Sequence, residues 1–289
     1  MKAAVTLEAA VTPADLLTLP DVGALAAGPE DASETLLYLH GWGGSKDLWW
    51  STLARLADPR QGIAHRGIAL DLPGTGGTPL PPGLRTMPEM ACWVTETCRR
   101  LGLARVTLVG HSLGGNLAAQ VALDFPCLAR RLVLVDAALD PASLPARARW
   151  PLHGRLGLPA LRLMRLASLP LAAAGRGTPQ DRTLGFWRAY ARRTHWYTQA
   201  NRDDRALQRQ LQALTDNPLP PARLAALRLP VLLLHGARDA VVPVSGAQAL
   251  ARALAGSELI VFPTAHHCPM DTDPAGFAQA LRDFCRPLP

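Results

Sequence analysis

A serine lies between two glycines where a predicted strand meets a predicted helix. Residues 106–110 form a short apolar run that leads into the pentapeptide GHSLG at 110–114, a G-x-S-x-G pattern. Because glycine has no Cβ, the two glycines permit a tight turn from which the hydroxyl of Ser112 projects. The positive end of the following helix dipole favours negative charge that develops beside it. The pattern predicts that Ser112 is a nucleophile.

Two later loops carry side chains that could activate this hydroxyl. A predicted strand over residues 231–235 is followed by GARDAVVP, which contains Asp239, and a strand over 258–262 is followed by PTAHHCPM, which contains His266 and His267. In parallel α/β sheets the site lies at the carboxyl ends of the strands, where these loops meet. A histidine there would take the serine proton, and a carboxylate would orient the imidazole and stabilise its charged form.

A glycine-rich turn follows the first of the predicted parallel strands. The strand over residues 35–40 leads into HGWGG at 40–44, where glycines let the backbone approach another group closely. The tetrahedral intermediate of acyl transfer needs hydrogen-bond donors that are already in place around its oxyanion. The backbone amides of Trp42 and Leu113 are the predicted pair of donors.

Alternating apolar runs and helical patterns must position these residues. Each apolar run is hydrophobic on both faces, as in parallel strands covered by helices, and the patterns between the runs have the length of βαβ crossovers. The sequence therefore predicts an α/β fold with a mostly parallel sheet flanked by helices. Predicted strands cover residues 35–40, 67–71, 106–110, 132–136, 231–235 and 258–262, and predicted helices cover 88–101, 113–125, 245–255 and 274–285.

The strand and helix rhythm stops after Asp136 and resumes near residue 228. A helical insertion over residues 137–227 explains this interval better than a structureless loop of that length, and it leaves a core of residues 1–136 and 228–289. Between residues 141 and 210 the chain has 13 Arg and 3 Asp, although the net charge of the whole chain is only +7. These arginines either form a solvated face or attract an anionic partner, such as an acidic acyl-carrier protein or a coenzyme A thioester.

Four motifs together resemble those of the α/β-hydrolase family. They are HGWG at 40–43, GHSLGG at 110–115, GARDAVVP at 236–243 and the histidines that precede DTDP at 271–274, and the resemblance extends over nearly the whole chain. The order serine, aspartate, histidine is that of the family. The resemblance implies Ser112 as nucleophile, Asp239 as acid and His267 as base, with the insertion as a helical cap above them.

Two positions leave alternatives open. His266 stands where the family commonly has glycine, so it is an alternative base. Asp136, at the end of its predicted strand, occupies an alternative acid position that some family members use. The residues expected to contact the substrate are His40, Gly41, His111 and Trp187.

The resemblance implies a serine hydrolase, similar to a carboxylesterase, that cleaves a small-molecule ester or a thioester through an acyl-serine intermediate. The same machinery could act on acyl groups carried by an acyl-carrier protein or coenzyme A, cleave a C–C bond, an amide or a lactone, or perhydrolyse an acid. A non-catalytic binding protein on this fold is the alternative from another class. The sequence does not indicate the leaving group or an oligomeric state.

Composition and motifs argue against several other classes. The sequence lacks the phosphate-cradle and dinucleotide motifs and a Cys or His cluster, so neither a cofactor nor a metal is expected. Arginines and aromatic residues alternate at 187–197, but with a hydrolase site expected below them we do not predict nucleic-acid binding. Arg162 and Arg165 interrupt the most apolar stretch, so no membrane span is expected. Glu8 and Asp15 interrupt the amino-terminal apolar residues, which predicts a cytoplasmic protein without a signal peptide.

Overall fold

The computed structural model describes residues 15–62, 64–141 and 204–286, and these residues build one eight-stranded sheet. The strands are β1 (Asp15–Leu19), β2 (Val22–Ala27), β3 (Thr35–Leu39), β4 (Arg66–Leu70), β5 (Val106–His111), β6 (Ala129–Val135), β7 (Val231–Gly236) and β8 (Glu258–Phe262). Their order in the sheet is β1-β2-β4-β3-β5-β6-β7-β8. The pairs β1–β2 and β2–β4 are antiparallel, and every other neighbouring pair is parallel.

Eight α-helices accompany the sheet in the described part of the chain. They are α1 (Trp50–Ala57), α2 (Met87–Arg100), α3 (Leu113–Asp124), α4 (Asp204–Asp216), α5 (Pro221–Leu224), α6 (Val244–Ala253), α7 (Pro269–Thr272) and α8 (Pro274–Phe284). Among these described helices, none has the length and the apolar character needed to cross a membrane.

The two faces of the sheet are covered by different helices, because successive side chains of a strand point to opposite faces. On one face Leu37 of β3 belongs to a buried apolar cluster that includes Leu117 of α3 and residues of α2. On the other face the neighbouring residue, Leu36, belongs to a second cluster with Leu53 of α1 and Phe277 of α8. Burial on both faces explains why the central strands are almost wholly apolar in sequence.

The predicted α/β fold is confirmed, and the six predicted strands correspond to β3–β8. Outside the predicted insertion, two strands and two α-helices of the described residues were missed, namely the antiparallel strands β1 and β2 and the short helices α1 and α7. The predicted start of β6 was wrong, because the strand begins at Ala129 and not at residue 132. The additional residues of this strand include Arg131. Arginine is usually exposed, so the sequence pattern places it at a surface, yet the guanidinium of Arg131 is buried in an ion pair with Glu34.

The predicted cap insertion is only partly within the described residues. Helices α4 and α5 lie in it, whereas residues 142–203, which include most of the arginines, lie outside the described part of the chain. Helix α4 packs against the loop after β4. The side-chain amide of Gln210 donates to the backbone carbonyl of Pro73 at 3.0 Å, and Gly74 contacts Ala206. The division into core and cap stays a prediction.

Candidate active site

Ser112 lies at a strained turn between β5 and α3. Its backbone dihedrals are φ 53° and ψ −118°, a combination that non-glycine residues rarely adopt and that is found where a surrounding fold imposes it. The Ser112 amide donates to the carbonyl of Val135 at 2.9 Å, and its own carbonyl accepts from the amide of Gly115 at 2.9 Å. Residues on both sides are buried while Ser112 is partly exposed. The hydroxyl is therefore presented from a backbone held at both ends.

The glycines of the serine motif are required by close backbone packing. A Cβ on Gly114 would overlap the carbonyl oxygen of Leu39 and lie 2.5 Å from that of His40, both at the end of β3. A Cβ on Gly110 would lie 2.7 Å from the Cα of Gly115. Since real Cβ atoms do not approach other atoms so closely, the turn around Ser112 depends on glycine at both positions.

His267 and Asp239 are joined across the loops that follow β8 and β7. His267 Nδ1 lies 2.7 Å from Asp239 Oδ2, and the aspartate side chain is completely buried. The other oxygen, Oδ1, accepts the amides of Val241 and Val242 at 2.7 and 3.0 Å. A carboxylate only accepts, so Nδ1 carries the proton and donates it, which leaves Nε2 of the same ring to act as a base.

The surroundings of Asp239 keep it ionised. Burial raises the pKa of this carboxyl, but the hydrogen bond and charge of His267 and the two backbone amides lower it by more, so the net pKa lies below the ordinary value. A charged Asp239 fixes the tautomer of His267 and would stabilise the imidazolium that forms when the ring takes a proton.

His111 supports the loop that carries His267. The His111 side chain is buried, its Nε2 donates to the carbonyl of His267 at 2.7 Å, and the two rings lie 4.8 Å apart between centroids. The sequence predicted that His111 contacts the substrate. Its ring is buried against Gly41 and bonded to the loop that carries His267, and the substrate contact stays a prediction.

The turn at residues 40–44, here called the oxyanion turn, touches the serine directly. A Cβ on Gly41 would lie 3.1 Å from the Cβ of Ser112 and 2.8 Å from His111 Nδ1, so only glycine allows this approach. Leu113, the other predicted donor of an oxyanion amide, is the first residue of α3 and directly follows the serine. The Trp42 indole Nε1 donates to the carbonyl of Leu207 at 2.9 Å and thereby ties the turn to α4.

The His40 side chain holds the oxyanion turn in place through hydrogen bonds. It is completely buried, its Nδ1 donates to the carbonyl of Gly41 at 2.7 Å, and its Nε2 accepts the amide of Leu72 at 3.0 Å. Burial lowers the pKa of His40 by more than the nearby Asp71 carboxylate raises it, so the ring is neutral and can accept at Nε2. Both ring nitrogens are used within the protein, which is not the arrangement expected of the predicted substrate contact.

Asp71 and Lys46 anchor the same turn, and neither was among the predicted site residues. The buried carboxylate of Asp71 accepts the Lys46 amide at 2.8 Å, the Lys46 ammonium at 3.1 Å and the Gly77 amide at 2.8 Å. The signal for this anchor was a lysine just after the turn in a chain that has almost only arginine as its basic residue.

The two alternative residues lie on either side of the His267–Asp239 pair. His266 Nδ1 hydrogen-bonds the carbonyl of Arg238 at 3.1 Å, so its ring is directed at backbone and not at Asp239. Asp136 is completely buried, and its Oδ1 accepts the amide of Gly236 at 2.9 Å. The hydrogen bond of the predicted base goes to Asp239 and not to Asp136.

His235 is a site residue that sequence reasoning missed. Its buried ring lies between the two carboxyls, with Nε2 3.5 Å from Asp136 and 3.7 Å from Asp239. Nε2 donates to the carbonyl of Val242 at 3.0 Å, and burial lowers the pKa of the ring, so His235 is neutral. A histidine at the end of an otherwise apolar strand was the only available signal.

Two groups of side chains within the described residues have the composition of metal ligands. They are His111, Asp136 and His267, and Asp136, His235 and Asp239, each with ligand atoms within 4.8 Å of one another. Nitrogens of all three histidines are already committed to the hydrogen bonds described above, with the carbonyls of His267 and Val242 and with Asp239. Hydrogen bonding therefore accounts for both groups. The remaining predicted site residue, Trp187, lies outside the described residues.

Comparison with known proteins agrees with this architecture. Residues 34–274 match the family model of the alpha/beta hydrolase fold. The chain belongs to the α/β-hydrolase family. It is 34% identical over 262 residues to the proposed carbamate hydrolase RutD of Variovorax paradoxus, covering 89% of this chain and 93% of that protein. It is 30% identical over 261 residues to the pimeloyl-[acyl-carrier protein] methyl ester esterase of Aeromonas salmonicida, covering 86% and 94%.

Solved structures show the same fold. A hydrolase from Pseudomonas aeruginosa superposes with a TM-score of 0.71 at 24% identity, covering 94% of this chain and 97% of that one. The esterase EaEST from Exiguobacterium antarcticum superposes with a TM-score of 0.68 at 21% identity, covering 91% and 94%. At these identities the likeness concerns the fold and not the substrate.

Proposed function

We propose that this α/β-hydrolase is a serine hydrolase that cleaves a carboxylic ester or thioester through an acyl-serine intermediate. Ser112 is the nucleophile, His267 the general base and Asp239 the acid that orients the base. The amides of Trp42 and Leu113 bind the oxyanion. The observation that carries the proposal is the 2.7 Å hydrogen bond from His267 Nδ1 to Asp239, because it leaves Nε2 as the base on a loop that packs against the neighbour of Ser112.

The proposed reaction has two half-reactions. Ser112 Oγ attacks the carbonyl carbon while His267 Nε2 takes its proton, and the protonated ring then gives that proton to the departing alcohol or thiol. Water attacks the acyl-serine with the same base and returns Ser112 to its starting state. In both steps negative charge on the carbonyl oxygen falls next to the oxyanion turn and the amino end of α3, where backbone amides stabilise it without reorganising.

The first test compares the parent protein with Ser112→Ala on p-nitrophenyl esters from acetate to dodecanoate. We expect hydrolysis by the parent alone, together with covalent labelling of the parent by a fluorophosphonate probe. Ser257→Ala is the matched control, since the Ser257 hydroxyl, which precedes β8, donates to the backbone carbonyls of Ala251 and Leu254 at the end of α6. Equal activity of Ser112→Ala and the parent would refute the role of Ser112.

A second candidate is hydrolysis of an ester carried on an acyl-carrier protein. Two observations favour it, the relative from Aeromonas salmonicida that is named for such a substrate and the excess of arginine between residues 141 and 210. Carrier proteins with an acidic surface would be attracted to that charge. This function predicts that activity on a carrier-bound methyl ester falls steeply with added salt and with Arg→Glu changes in the segment, whereas activity on p-nitrophenyl esters does not.

A further inference from the structure

Asp136 places a second carboxyl directly beside the acid–base pair. It follows β6 at φ 43°, in the left-handed region, and it is completely buried. Oδ1 accepts the amide of Gly236, whereas Oδ2 is buried without a hydrogen-bond partner among the described residues. A buried carboxylate oxygen without a donor is strongly unfavourable, and protonation avoids that cost by removing the charge and turning Asp136 into a donor to the neighbouring Asp239.

Five titratable groups lie close together at the carboxyl ends of the parallel strands. Oxygen and nitrogen atoms of Asp136, His111 and His267 lie within 4.8 Å of one another, and so do those of Asp136, His235 and Asp239. His111 and His235 both donate their Nε2 protons to backbone carbonyls, so neither of them supplies a proton to Asp136. The only other acidic group in the cluster is Asp239, which already accepts from His267.

We propose that Asp136 and Asp239 share a single negative charge, with a proton held on Asp136, so that Asp136 is a positioning residue that keeps the charge on Asp239. The proposal rests on the function proposed above. Burial and the negative charge of Asp239 raise the pKa of Asp136 well above its usual range, in agreement with the geometry. Two adjacent carboxyls that cannot both ionise divide their roles in this way.

The position of Asp136 predicts how the protein responds when Asp239 is removed. Without that neighbouring charge, Asp136 is the one carboxyl left in the cluster, and it lies within 4.8 Å of a ring nitrogen of His267. Once ionised, it can orient the base in place of Asp239. Asp136 is therefore a reserve acid, which works only in the variant and only at a pH high enough to remove its proton.

Infrared spectroscopy tests the protonated state without reference to activity. The parent protein at pH 7 should show the carbonyl stretch of a protonated carboxylic acid, and Asp136→Asn should lack it. Asparagine tolerates a left-handed backbone and keeps a hydrogen-bond donor where the carboxyl proton lies, so the variant should fold. The absence of this band from the parent would overturn the proposal.

Kinetics test the reserve role. We expect Asp239→Asn to retain about 10 to 100 times more activity than Asp239→Asn/Asp136→Asn, and kcat/KM of the single variant to rise with pH as Asp136 ionises. A purely structural Asp136 would not create that pH dependence. Equal residual rates with the same pH profile would overturn the reserve role. Activity of Ser112→Ala would instead refute the proposed function, while the infrared band of Asp136 would still be measurable in that variant.

Discussion

Ser112 and the oxyanion turn are held by backbone contacts, whereas His267 and Asp239 are held by side-chain hydrogen bonds. In the first region, the nucleophile half, glycines bring main-chain atoms together so closely that no other residue fits. In the second region, the acid–base half, side chains from three loops form a network with two carboxyls and two additional histidines. The nucleophile half therefore fits one backbone geometry, while our proposal for Asp136 gives the acid–base half a group that can partly replace Asp239.

The largest expected effect is therefore a methyl group in the nucleophile half. Gly114→Ala would force apart the end of β3 and the start of α3, which we expect to destabilise the protein by about 3 kcal/mol and lower Tm by roughly 10 °C. Activity should fall further than the folded fraction, because the same contact positions Ser112. Thermal unfolding and ester hydrolysis measure the two effects.

Gly246→Ala is the matched control for this prediction. Gly246 lies exposed in α6, and a Cβ there would meet nothing within 4 Å. Alanine favours a helix, so the control should be stabilised by up to about 1 kcal/mol. If Gly114→Ala behaved like the control, close packing would not be what holds the serine turn.

A change of the proposed base affects activity more than stability. His267→Gln removes the group proposed to take the serine proton, and we expect kcat to fall about a thousandfold, with a smaller loss of Tm because buried Asp239 loses its hydrogen-bonded partner. His266→Gln is the control, because His266 faces a backbone carbonyl. A larger loss in His266→Gln than in His267→Gln would reverse the assignment of the base.

The contrast between the halves also explains what the sequence could predict. Ser112 and the oxyanion turn are encoded by short motifs with glycine at fixed spacing, and the parallel strands that carry them were recognisable as apolar runs. The contacts of His235 with Asp136 and Asp239, by contrast, join a histidine inside an apolar strand to carboxyls in two different loops, one of which is distant in sequence. Whether a buried histidine packs beneath a site or contacts a substrate depends on tertiary contacts that the sequence does not display, so the substrate contacts expected of His40 and His111 stay predictions.

The Trp42 side chain offers a finer test of the nucleophile half. Trp42→Phe keeps the ring and the backbone amide but removes the indole donor to Leu207, so the oxyanion turn loses its link to α4. A typical hydrogen bond contributes about 1 kcal/mol, and we expect kcat to fall about fivefold to tenfold with a smaller change in KM. Trp50→Phe, at an exposed tryptophan, is the control. Equal kinetics of the two variants would show that the link has no catalytic effect.

The smallest expected effect separates the two carboxyls of the acid–base half by the pH dependence of stability. The pKa of Asp239 is lowered in the folded protein, so Asp239 stabilises the fold above the pKa of the unfolded chain, about 3.9, and this contribution is lost as pH falls through the folded value. The pKa of Asp136 is raised, so the folded protein must hold a proton that the unfolded chain releases. That requirement is absent at low pH and destabilises the fold increasingly as pH rises.

Thermal unfolding between pH 4 and pH 8 should therefore give opposite results for two isosteric variants. Asp136→Asn should be more stable than the parent at pH 8, by about 2–4 °C in Tm, and the difference should shrink towards pH 4. Asp239→Asn should be less stable than the parent at pH 8 and should stay so down to pH 4, because the contribution of Asp239 is lost only below about pH 3.9. Asp31→Asn measures the effect of losing an exposed carboxyl. If both site variants were destabilised at pH 8, the two carboxyls would each carry a charge, and the difference between them that we infer from burial would be wrong.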